Sequence, residues 1–163
     1  MQHPSASPDG YIIDQNKTAD LAYGHATSDY SGCGWIAVYN LLRATGKERP
    51  ARQVSEELAT GWFHGRMGTG PLRLKRYLLC AGFSLQTALT RKKALQLAQG
   101  AHSGILMYMA SVHGLHYVAF VRQENGLFRF FNAEMGHPAH CSTLEEFFHT
   151  YVKGPFAYTM VTE

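Results

Sequence analysis

Helices first and a sheet afterwards is the order the sequence predicts, an α+β domain. Three observations carry it. Apolar residues recur at helical spacing in three segments before residue 82. From residue 103 the chain changes to runs rich in β-branched and aromatic residues. No repeat or low-complexity linker separates the two parts.

The first helix opens in "SDYSGCGWIAVYNLLRATGK" (28–47), where Ile36, Tyr39 and Leu42 follow the 3.6-residue period and Val38 and Leu41 widen the apolar face. Gly46 sits where a helix-ending glycine is expected. A second helix begins near Pro50, with Val54 and Leu58 four apart, and a third begins at Pro71, with Leu74 and Leu78 on one face and Gly82 as its stop. Cys80, near the end of that helix, is expected in the core. "FSLQTAL" (83–89) reads as a short strand and "TRKKALQLAQG" as a helix capped by Thr90. Strands follow at 103–111, 116–123 and 127–134, the last two joined through the hairpin signal Asn125-Gly126. Ser142 with Glu145 makes a capping box for another helix, and "PFAYTMVTE" closes the chain as an edge strand.

A length of 163 residues suits one domain with a single core, here residues 11–163, behind a flexible lead-in over 1–10. Fifteen Lys and Arg against twelve Asp and Glu give a charge of +3 with no basic block, which argues against a nucleic-acid partner. No apolar run reaches the roughly 18 residues of a membrane span, and the N-terminus has no signal-peptide pattern. Three cysteines without a CxxC pair fit a reduced, cytoplasmic setting better than a disulfide framework. The oligomeric state is left open.

The chemistry centres on Cys33, which stands between Gly32 and Gly34 at a helix start. Unpaired N–H groups and the positive dipole end there favour thiolate over thiol, and they can also hold an oxyanion. The flanking glycines, without Cβ atoms, would let a substrate backbone approach the sulfur. A small buried cysteine is the competing reading. A nucleophile needs a base, and the base an orienter. His116 begins the apolar strand "HYVAFV", and sixteen residues on Asn132 ends the partner strand "FRFFN", so the hairpin can bring the two opposite each other. The asparagine would accept the imidazole N–H and fix its tautomer. His113 and Trp35 are candidate substrate contacts, Trp35 as core or cleft wall, and Glu134 is a candidate partner behind the site. "HGLH" and "HPAHC" have zinc-like spacing but read better as cleft-lining loops, so neither a metal nor a cofactor is expected.

The pieces "GCGWIAVYNLL", "GTGPLRLKRYLLCAGF", "GLHYVAFV" and "FFNAE" resemble, in this order, papain-like cysteine peptidases, and among them small bacterial forms similar to double-glycine leader peptidases. The resemblance spans residues 20 to 162. It implies a papain-like fold, N-terminal helices packed on a C-terminal antiparallel β-sheet, with Cys33 as nucleophile, His116 as general base and Asn132 as orienter. It implies a peptide or protein substrate and peptide or isopeptide hydrolysis through a thioester. An acyltransferase or transglutaminase-like enzyme with the same nucleophile, or a non-catalytic peptide-binding module, are the alternatives. One departure stands out. The family carries a Gln about six residues before the cysteine to complete the oxyanion hole, and that position here is Thr27. Thr27, Ser28, His25 or the Cys33 N–H itself would have to serve.

Overall fold

The computed structural model describes residues 6–60, 65–110, 114–133 and 140–162. An N-terminal strap runs through a 3₁₀ turn, Gln15–Lys17, to the short paired strands β1 (Ala22–Tyr23) and β2 (Ala26–Thr27). The helices α1 (Ser28–Ser31), α2 (Cys33–Ala44), α3 (Ala51–Ala59) and α4 (Pro71–Cys80) follow. Then come β3 (Leu85–Thr90), α5 (Arg91–Gly100), β4 (Ser103–Ala110), β5 (Gly114–Arg122), β6 (Phe128–Phe131), β7 (His140–Ser142), α6 (Leu144–Thr150) and β8 (Lys153–Thr162). Strands β3 to β8 form one antiparallel sheet in the order β3-β8-β4-β5-β6-β7.

Strand alternation divides the core between the two faces of this sheet. Ile105, Met107, Tyr117, Ala119, Phe131 and Met160 face α2 and pack with its Trp35, Ile36 and Leu41. Leu106, Tyr108, Val118, Phe120 and Phe130 point the other way, onto Ala94 and Ala98 of α5 and Phe147 and Phe148 of α6. Phe130 and Phe147 stack there with centroids 3.8 Å apart. Each large side chain buried this way contributes about 1.5–3 kcal/mol. The helix carrying Cys33 is therefore clamped to one face, where it cannot slide without exposing that surface.

Most elements lie where the periodicity puts them, and the departures have local causes. The final strand is not an edge: β8 runs between β3 and β4. Its Ala157, Thr159, Met160 and Val161 are buried on both faces, which only an interior position allows. Cys80 is exposed. It lies about 200° around α4 from the buried Leu78, on the outer side. The capping box sits one residue later than read. Thr143 Oγ1 accepts the Glu146 N–H and Glu146 Oε2 accepts the Thr143 N–H, because Ser142 is occupied in the β7 ladder opposite Phe128. Residues 6–10 of the expected lead-in pack on the body. Ala6 bridges to Ile12, and Asp9 pairs with Arg129.

The cap assignment has a direct test. Thr143→Ala is expected to lower stability by about 1 kcal/mol in urea denaturation, whereas the exposed Glu145→Ala stays within about 0.5 kcal/mol.

Candidate active site

Cys33 is the first residue of α2, joined through Gly32 to the single turn of α1. The two glycines are needed for internal packing. A Cβ on Gly34 would stand 2.7 Å from Thr69 Oγ1 and 3.3 Å from Leu74, and one on Gly32 would run into the Ser28 carbonyl. Trp35, read as core or cleft wall, is fully buried. Its indole N–H donates to Ser28 Oγ at 3.0 Å, so it braces α1 against α2 from behind. The polar pair formed by the Tyr23 and Thr69 hydroxyls closes the wall on the Gly34 side.

The Cys33 thiol is partly buried against the main cluster. Burial pushes it above the ordinary thiol value. The backbone N–H groups of Tyr117, Gly34 and Cys33 itself pull the other way and do not prevail. The lowering expected from the helix start is thus present and outweighed, because desolvation penalises the thiolate more than a few amide dipoles stabilise it. Burial thus favours the neutral thiol over the thiolate, with the amide that joins His116 to Tyr117 close by.

That amide is within reach because β5 outruns β6. The β4–β5 ladder continues to Ala110 opposite Gly114, but the β5–β6 ladder stops at Ala119 opposite Phe131. Past this point β6 no longer pairs with β5, and the Tyr117 N–H is close enough to the Cys33 sulfur to favour its thiolate. His116 shares the alternation of Val118 and Phe120, away from α2, and its ring meets Tyr108 edge-on at 5.8 Å. Its Nε2 lies 2.7 Å from the main-chain oxygen of Asn132. A carbonyl can only accept, so Nε2 carries the proton there, and Nδ1 is the nitrogen that a neutral ring would use as base.

Asn132 therefore orients the imidazole through its backbone and not through the side-chain oxygen expected from the sequence. The residue is left-handed, with φ 61°, which turns the chain out of the ladder and aims its carbonyl at His116. Its buried amide is held by Gln15: Gln15 N–H donates to Asn132 Oδ1 at 3.0 Å, and Asn132 Nδ2 donates to Gln15 Oε1 at 3.1 Å. The sequence reading missed Gln15, which lies in a turn-rich arm with no motif around it. It also missed Tyr117, whose contribution is a backbone N–H that no side-chain pattern announces.

Thr27 is exposed at the N-terminal end of α1, without a side-chain capping bond. It lines an open groove of about 720 Å³ with His25, Tyr30 and Arg66. The Ser28 hydroxyl is committed to Trp35 as acceptor. His113 and Glu134 lie outside the described residues, as do residues 137–139 of "HPAHC". Among the described residues no group of three or more His, Cys, Asp or Glu is placed to hold a metal ion, and no helix is long and apolar enough to cross a membrane.

No protein-family model matches the chain, and no curated protein matches it in sequence. Among solved structures, the peptidase domain of Streptococcus ComA, a bi-functional ABC transporter involved in a quorum-sensing pathway, superposes with a TM-score of 0.57. The match covers 80% of this chain and 91% of that one at 13% identity. At that identity the likeness is one of fold. The helices on an antiparallel six-stranded sheet are a papain-like peptidase fold.

Two outcomes follow from the site as built. Gly34→Ala should cost about 1–3 kcal/mol of stability, because the Thr69 and Leu74 side chains must shift to admit a methyl group. A raised Cys33 pKa contributes stability that is complete below the unfolded thiol value of about 8.5 and is lost as pH rises through the folded value. The urea midpoint of the wild type should therefore fall more steeply above pH 8.5 than that of Cys33→Ser. The buried tyrosines, also raised, are common to both proteins.

Proposed function

We propose that this chain is a thiol-dependent peptide or isopeptide hydrolase, with Cys33 as nucleophile, His116 as general base and Asn132 as the group that orients it. One observation carries the reading. The amide of Tyr117, directly after His116, acts on the Cys33 sulfur, and the His116 Nε2 donates to the Asn132 carbonyl, so the strand end that carries the candidate base runs past the candidate nucleophile. The peptidase fold supports the same class of chemistry.

Burial favours the neutral thiol, so activation is proton transfer during attack and not a stored ion pair. With substrate bound, His116 Nδ1 removes the thiol proton, and the sulfur adds to the carbonyl carbon. The oxyanion forms against the N–H groups that surround the sulfur at the start of α2, with Thr27 on the groove side in place of the longer glutamine. The imidazolium then protonates the leaving amine, giving a thioester. A water deprotonated by the same nitrogen hydrolyses it and restores the thiol.

Cleavage of a fluorogenic peptide library tests the assignment. Cys33→Ala should abolish turnover, and His116→Ala should reduce kcat by roughly 100- to 10,000-fold. Full activity in Cys33→Ala would sink it. Adding amines and weighing the products separates water from an amine as the acceptor.

A further inference from the structure

The N-terminal strap is laced to both elements that build the site. On the α2 side, the Ile12 N–H donates to Asn40 Oδ1 at 2.9 Å and Asn40 Nδ2 donates back to the Ile12 carbonyl at 2.8 Å. Tyr39 Oη and Arg43 Nε donate to the carbonyls of Gly10 and Asp9. On the β6 side, Tyr11 stacks on Phe131 with centroids 4.2 Å apart, and Asp9 pairs with Arg129. The strap then delivers Gln15 into the interior between these elements, where it is 3% exposed.

Gln15 uses its whole functionality there. Its backbone N–H and Oε1 grip the two ends of the Asn132 amide, and its Nε2 donates to the Asp29 carbonyl in α1 at 3.0 Å. Asp29 lies four residues before Cys33, on the turn that leads into the nucleophile. Asn132 in turn is held left-handed, a conformation costly for a residue with a Cβ, and in that conformation its carbonyl receives the His116 proton. A continuous line of hydrogen bonds thus runs from the imidazole through Asn132 and Gln15 to the turn before the sulfur.

We infer that Gln15 is a positioning residue for catalysis: through its hydrogen bonds to Asn132 and Asp29 it holds the imidazole of His116 in one tautomer and in register with Cys33. The inference rests on the hydrolase reading for its kinetic consequence, but its structural half stands apart from activity. The side chain never reaches substrate and acts only through its two neighbours.

The variant Gln15→Met keeps the volume and removes both side-chain bonds. Asn40→Ala is the control, since it removes two buried bonds from the same strap, 28 residues away from their partner in sequence and outside the Gln15–Asn132 line. Nitrogen-15 NMR of the His116 ring reports tautomer and pKa, and urea denaturation reports stability. Gln15→Met should convert the single Nε2–H form into a mixture and shift the His116 titration. It should also lower kcat by roughly 100-fold, the order expected for a misplaced catalytic group, with KM within about threefold. Asn40→Ala should lose stability while keeping the wild-type ring spectrum. A wild-type His116 spectrum in Gln15→Met overturns the inference, and so does the same spectral change in Asn40→Ala at equal stability loss. If the wild type cleaves no peptide, the hydrolase reading fails while the NMR arm still decides the role of Gln15.

Discussion

The early end of β6 is the constraint on which the site depends. Asn132 ends the strand by taking a positive φ, which no regular strand accommodates. The same turn of the backbone does two further things: it releases the end of β5 from pairing with β6, and it aims the Asn132 carbonyl at His116. Termination of a strand and orientation of a base are here one conformational event. A β-branched residue at position 132 would find that conformation far harder to hold.

Cys33 illustrates how two true physical statements compete. The start of a helix does present N–H groups, and those of Gly34 and Cys33 do reach the sulfur. Yet the sulfur also lies under the core formed by α2, β5 and the Tyr23 hydroxyl pair, and removal from water outweighs the dipoles. Burial therefore favours the neutral thiol.

The glycines and Trp35 carry a related lesson about what surrounds a nucleophile. Their pattern in sequence is the same whether they open a path to substrate or close the space behind it. Gly32 faces Ser28 and the Trp35 indole is tied to Ser28, so these two serve the tight junction of α1 with α2, while Gly34 faces Thr69 and Leu74 and lets α2 pack on the start of α4. That junction fixes where the first turn of α2 points.

Local patterns determined a good deal by themselves. The 3.6-residue and 2-residue periods defined α2, α3, α4 and the strands β4 to β6, since a face must be buried wherever such a period persists. Asn125-Gly126 defined the hairpin, and the chain order of Cys33, His116 and Asn132 marked out the candidate site. Tertiary structure decided what depends on neighbours remote in sequence. Whether β8 is an edge or an interior strand, and which side of α4 carries Cys80, depends on what packs against each face. The direction of the Cys33 pKa follows from the depth of its burial, and the atom of Asn132 that meets His116 follows from a backbone angle. Gln15 lies 117 residues from Asn132, a separation across which no spacing rule operates, so only the folded chain could bring them together.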